Sequence, residues 1–250
     1  MKVKSILAAL LLLVAGVQTA MAQMMIVTLN DNSKVTYSIS QVKEVSFVES
    51  EEHEYVDLGL PSGTLWATCN VGASSPEEYG DYFAWGETVP KDYYGWSTYK
   101  WCNGSNDTMT KYCANSSYGY NGFTDNLTEL QPEDDAATAN WGSPWRMPSL
   151  AQIEELNDSS YTTTVWTQLN GVYGRKVTSK SNGNSIFLPA AGSRWNDELN
   201  NAGRYGDYWS SSLYPSYVNG AYYLYFRPDY RSWSSGSRGN GHSVRAVRVP

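Results

Sequence analysis

Apolar residues alternate with polar ones at Met25, Val27 and Leu29, and again at Val35, Tyr37 and Ile39, with the turn-forming run NDNS (30–33) between them. A period of two puts each triplet on one face, so the pattern predicts a β-hairpin, with 45–47 as a third short strand. Strands this few and this short are marginal alone. The acidic run ESEEHE (49–54) follows and marks a boundary. The reading is a small β module over 23–50, a linker over 51–54 and a main domain over 55–250.

From Tyr55 onward the apolar stretches are short and broken by Gly, Asn, Ser and Pro. Alternation predicts strands over 172–178, 185–188, 221–226 and 243–249. In 221–226, Tyr222, Leu224 and Phe226 fall on one face and Ala221, Tyr223 and Tyr225 on the other. The run SLAQIEELN (149–157) predicts a helix, with Ser149 as its cap, Gln152 closing a capping box, and Leu150, Ile153 and Leu156 on one face. SPEE (75–78) predicts one or two helical turns. PEDDAA (132–137) predicts a short helix with its acids at the favourable end. Few helices and many short strands imply an α+β domain with long loops.

Composition narrows the class. Charged residues are few (17%) and aromatic ones many (14%), with 10 Trp and 20 Tyr, the balance of a loop-rich extracellular protein. The first 22 residues read as a signal peptide: Lys2 and Lys4, an apolar run from Ile6 to Val17, and an Ala20-Met21-Ala22 cleavage site ahead of Gln23. Gln23 in place of Cys argues against a lipoprotein, and no later segment is apolar enough for membrane insertion. The expected location is therefore outside the cytoplasm: periplasm, cell surface or secreted. Export permits a disulfide between Cys102 and Cys113, with Cys69 left as a small buried residue; the alternative is three unpaired core thiols.

The chain carries a net charge of −7, yet residues 199–250 hold six Arg against Asp207 and Asp229. An acidic body argues against nucleic acid as a partner. His53 and His242 are too few and too far apart for a metal triad or a zinc site, so no cofactor and no catalytic centre is expected. A structural Ca²⁺ at Glu133, Asp134 and Asp135 is the weaker alternative to a dipole role for these acids. The fragments QPED (131–134) and WND (195–197) look like lectin calcium motifs but lie too far apart in sequence to act together. The Trp-rich loops 84–101 and 141–145 read first as core and second as a carbohydrate platform.

Several motifs, in order, carry a resemblance: YVDLGLPSGTLWATCNVGA, YGDYFAWGET, WGSPWRMPSLAQIEEL, SIFLPAAGSR, YWSSSLYP, AYYLYF and GHSVRAVR. Together, from about Tyr55 to Val249, they resemble the Fibrobacter succinogenes major paralogous domain of exported Bacteroidetes proteins. That family is similar to the formylglycine-generating-enzyme branch of the C-type lectin fold. The resemblance implies a C-type-lectin-like domain. The branch's enzymes imply a late reactive Cys pair or a His-based iron site. This chain has no Cys after Cys113 and no His between His53 and His242. The branch also includes the variable proteins of diversity-generating retroelements, which present a diversified carboxyl-terminal surface. Residues 199–250 lack Lys, Glu, Gln and Met, four of the residues such diversification does not produce; Trp209 and Trp233 would then be fixed scaffold positions.

Independently of that resemblance, Tyr, Ser, Gly, Asn and Arg are the residues of antibody paratopes. The tail positions without apolar spacing are the expected ligand-binding set: Tyr214, Tyr217, Asn219, Arg227, Asp229, Tyr230, Arg231, Ser235, Ser237, Arg238, Asn240 and His242. The expected function is non-catalytic binding of a protein or glycan by this surface, with the Trp-rich loops as the carbohydrate-binding alternative.

Overall fold

The computed structural model describes residues 24–28, 33–41 and 53–249. The expected signal peptide, with its expected cleavage between Ala22 and Gln23, the strand expected at 45–47 and most of the expected linker lie outside the described residues. The chain divides into two units, 1–49 and 50–250.

In the first unit, β1 (Met24–Thr28) pairs antiparallel with β2 (Lys34–Ser38). This is the hairpin that the alternation predicts. A single 3₁₀ turn, Ile39–Gln41, follows.

The second unit is a sheet-rich α+β domain. Its strands are β3 (Tyr55–Asp57), β4 (Leu65–Ala67), β5 (Tyr82–Phe83), β6 (Thr162–Leu169), β7 (Val172–Ser179), β8 (Ser185–Pro189), β9 (Ser193–Trp195), β10 (Glu198–Asn200), β11 (Gly206–Leu213), β12 (Gly220–Arg227), β13 (Tyr230–Ser237), β14 (His242–Ser243) and β15 (Val247–Arg248). The helices are α1 (Ala136–Trp141) and α2 (Leu150–Asn157). A five-stranded sheet in the order β13-β12-β11-β14-β5 forms the centre. Three-stranded sheets β15-β4-β3 and β6-β7-β8 and the ribbon β10-β9 complete the domain.

Helix α2 forms as its sequence predicts. The Ser149 hydroxyl and the Gln152 side chain make a reciprocal capping box, and Ile153 and Leu156 are buried. The PEDDAA run becomes a 3₁₀ turn (Pro132–Asp134) leading into α1, whose first N–H groups are capped by Asp135. Of the one or two helical turns expected at SPEE, a single hydrogen-bonded turn forms, the Glu78 N–H donating to the Ser75 carbonyl. The Glu78 carboxylate turns back to accept the N–H groups of Ser74 and Ser75.

Strand β11 carries GDYWSSSL, a polar-looking run that is buried throughout. Its serines are satisfied. Ser211 and Ser212 both donate to the Glu129 carboxylate, Ser210 donates to the Tyr222 carbonyl, and Ser212 accepts from the Leu150 N–H. The single carboxyl-terminal strand expected at 243–249 is split. The chain leaves the central sheet after Ser243 and joins β4 at Val247. Between them Arg245 turns inward and donates to Asn70 Oδ1 and to the Ala67 and Thr68 carbonyls.

Two apolar clusters flank the central sheet. One gathers Phe83, Trp85, Trp145, Trp209, Ala221 and Val244; the other gathers Trp66, Ile153, Leu156, Tyr208, Leu224 and Phe226. The alternation read in 221–226 therefore holds, but each face of the strand meets a core at one end. The three cysteines are free. The expected Cys102–Cys113 bridge is not formed: the Cys102 thiol donates to the Trp96 carbonyl and the Cys113 thiol to that of Asn115.

Candidate functional site

Residues 230–237, read as loop, form an edge strand with eight residues paired to β12. Backbone bonds hold β13, so it needs no apolar alternation of its own. The hairpin puts Arg227, Asp229 and Tyr230 at one end and Tyr214 and Tyr217 at the other. Eight residues of strand separate the two ends by roughly 25 Å. They are not one cluster.

The exposed end is built around charge. Arg227 Nε lies 2.9 Å from Asp229 Oδ1, and the guanidinium sits 5.7 Å from the Tyr230 ring. Arg231, Ser235, Ser237 and Asn240 are half-buried. At the other end Tyr217 is exposed, and Tyr214 packs edge-on against Tyr222, which meets Trp233 in turn. Trp209 is buried as a scaffold residue would be, but Trp233 is 41% exposed.

Three expected site residues are core instead. Arg238, fully buried, spans to the carbonyls of Tyr112 and Lys111 and lies between the rings of Trp85 and Tyr99. His242 stacks on Trp209 at 3.9 Å and meets the edge of Tyr223. Burial pushes its imidazole down to about 3, so it is neutral at pH 7. Asn219 is buried and accepts the Arg238 N–H at its carbonyl. The residue type alone hides this, because Arg and His are also what a loop-rich core uses to satisfy carbonyls and to stack on Trp.

The structure adds residues that sequence reading passed over. Strand register puts Tyr223 opposite Ser234 and Tyr225 opposite Ser232, on the same sheet face as Trp209 and Asp207. Tyr225 meets Tyr205 at 5.7 Å, Tyr223 at 6.4 Å and Tyr230 at 6.1 Å. Four tyrosines and two serines thus share one half-exposed face. The period-two alternation of 221–226 was the signal for it.

Asp207 lies at the inner margin of this face, 6% exposed, in reach of the Ser193 hydroxyl. Burial pushes its carboxyl up to about 6, against an ordinary 3.8. A folded-state value above the unfolded one means the fold prefers the protonated form. Stability from this group is full below pH 4 and falls as pH rises to 6. Asp207→Asn should therefore stabilise the domain by up to about 3 kcal/mol at pH 7, with no gain below pH 4. Urea unfolding at pH 7 and pH 4 measures this; equal effects at both would mean the carboxyl is not perturbed.

Beside the face, a cleft of about 480 Å³ runs between the β6-β7 hairpin and the 227–230 turn. Trp166 and Tyr173 form one wall, with rings 5.8 Å apart and nearly parallel. Arg204, Tyr205, Arg227 and Asp229 line the rest.

The other expected sites are spoken for by packing. Asp134 pairs with Lys111 at 2.6 Å and accepts the Tyr112 hydroxyl, while Asp135 accepts the N–H groups of Ala137, Thr138 and Met147. Glu133 is more exposed and lies 3.7 Å from the same Lys111 ammonium, so all three acids face protein donors. No group of three or more metal-ligating side chains occurs among the described residues. In the Trp-rich loops the indoles of Trp85 and Trp101 donate to the Ser210 and Gly86 carbonyls, and Trp145 is buried. Among the described residues no helix is long and apolar enough to cross a membrane.

No protein family, curated protein or solved structure matches this chain.

Proposed function

We propose that this chain is a non-catalytic, exported ligand-binding protein. Its recognition surface is the carboxyl-terminal hairpin β12-β13, carried on a C-type-lectin-like domain of the formylglycine-generating-enzyme type. The observation that carries the reading is the face shared by Tyr205, Tyr223, Tyr225 and Tyr230 with Ser232 and Ser234. Tyrosine offers a large amphipathic contact area at the cost of two torsions, and serine adds adaptable hydrogen bonds, which is why binding loops favour both. The rings already meet one another before any ligand arrives, so little ordering entropy is lost on binding. A buried carboxylate kept at a cost in stability, on the margin of the same face, is the kind of feature that concentrates at functional sites. The amino-terminal signal-like segment supports export. The lectin-type fold rests on the motif resemblance, together with an irregular, sheet-rich domain.

A screen of wild type and the Tyr225→Ala/Tyr230→Ala variant against glycan arrays and purified extracellular proteins tests the reading. We expect a ligand held by wild type and bound at least tenfold more weakly by the variant. A ligand bound equally by both would refute it.

A further inference from the structure

We infer that the cleft between the β6-β7 hairpin and the 227–230 turn binds a carboxylate-bearing sugar residue. The first observation is the aromatic wall. Tyr173, 47% exposed, lies nearly parallel to Trp166 at 14°, and Trp166 is braced by the edge of Phe226. A pyranose ring has an apolar face of axial C–H groups, and the electron-rich face of an aromatic ring is its natural surface.

The second observation is the opposite wall. Arg175 lies buried under it and donates to the carbonyls of Arg227, Pro228 and Tyr230. This fixes the turn, so the two walls stand apart before a ligand enters. The volume, about 480 Å³, is in the range of small-ligand sites.

The third observation is charge. Asp229 is engaged by Arg227, but among the described residues no carboxylate lies within ion-pair distance of Arg204. Two guanidinium groups against one carboxylate leave the cleft positive in a chain whose net charge is −7. A planar guanidinium pairs with a planar carboxylate through two parallel hydrogen bonds. Stacking wall and free arginine together select a sugar acid over a neutral sugar and over a bare anion. The Asp229 carboxylate, already bonded to Arg227, is positioned to accept a hydroxyl.

The inference rests on the reading of the hairpin as a recognition surface, since Arg227 and Asp229 belong to it. Its test uses the whole exported chain, titrated by tryptophan fluorescence and calorimetry. The probes are oligomers of galacturonate, glucuronate and sialate, the matching neutral oligomers, and a phosphoserine peptide. We expect at least one acidic oligomer to bind ten or more times tighter than its neutral counterpart. Tyr173→Ala should weaken it at least fivefold and Arg204→Ala at least tenfold, with Arg204→Lys recovering only part and all three variants melting like wild type. Binding should also weaken with salt. No binding by any acidic oligomer, equal binding of neutral ones, a preference for the phosphopeptide, or indifference to Arg204→Ala would each overturn the inference. A ligand lost on Tyr225→Ala but kept by Arg204→Ala and Tyr173→Ala would overturn it while leaving the hairpin reading intact.

Discussion

Val244→Asp should remove most of the domain's stability. Val244 is fully buried among Trp85, Trp209 and Ala246, and its carbonyl accepts the Val71 N–H, at the point where the chain passes from one sheet to the next. A carboxylate there has no partner and no water, at a cost of several kcal/mol. That is a large part of the roughly 5–15 kcal/mol that holds a domain together. Tyr230→Ala, at a side chain 49% exposed on the hairpin turn, should change stability by only about half a kcal/mol. Circular-dichroism melts of both variants check the contrast. Comparable losses would mean that the hairpin turn is part of the core.

Arg238→Ala should cost on the order of 3–5 kcal/mol. Its guanidinium fills the space between Trp85 and Tyr99 and carries hydrogen bonds for the Lys111 and Tyr112 carbonyls and the Met109 sulfur. Truncation leaves a cavity and at least one buried carbonyl without a donor. Arg238→Lys keeps the charge but not the fork, so it should recover less than half of the loss. Urea midpoints with unchanged slopes would measure both. A loss below about 1 kcal/mol for the alanine variant would show that water reaches these carbonyls.

How far these features were legible varies with the kind of signal. Helix α2 was legible because its cap, its box and its apolar face are all local. The strands of the β7-β8 hairpin and β12 were legible from alternation. Strand β11 was not, because a run of serines is buried only when Glu129 and a helix N-terminus, both distant in sequence, supply the partners. Strand β13 was not, because an edge strand is held by its neighbour's backbone. The carboxyl-terminal break at 244–246 depends on Arg245 reaching Asn70, another long-range contact. At the site, Arg227, Asp229 and Tyr230 were legible as an exposed turn, whereas Asn219, Arg238 and His242 were misplaced. Polarity predicts exposure only where no buried carbonyl or indole waits for a donor or a ring. Alternation places Tyr223 and Tyr225 on one face of their strand, but their gathering with Tyr205 and Tyr230 depends on cross-strand register, which no local pattern carries.

The central claim, that ligands are taken by the carboxyl-terminal hairpin, is tested most directly by hydroxyl-radical footprinting of the folded chain with and without bound ligand. The account predicts protection of Tyr205, Tyr225 and Tyr230, with 84–101 and 141–145 unchanged. Protection of those Trp-rich loops, with the hairpin tyrosines still reactive, would contradict it.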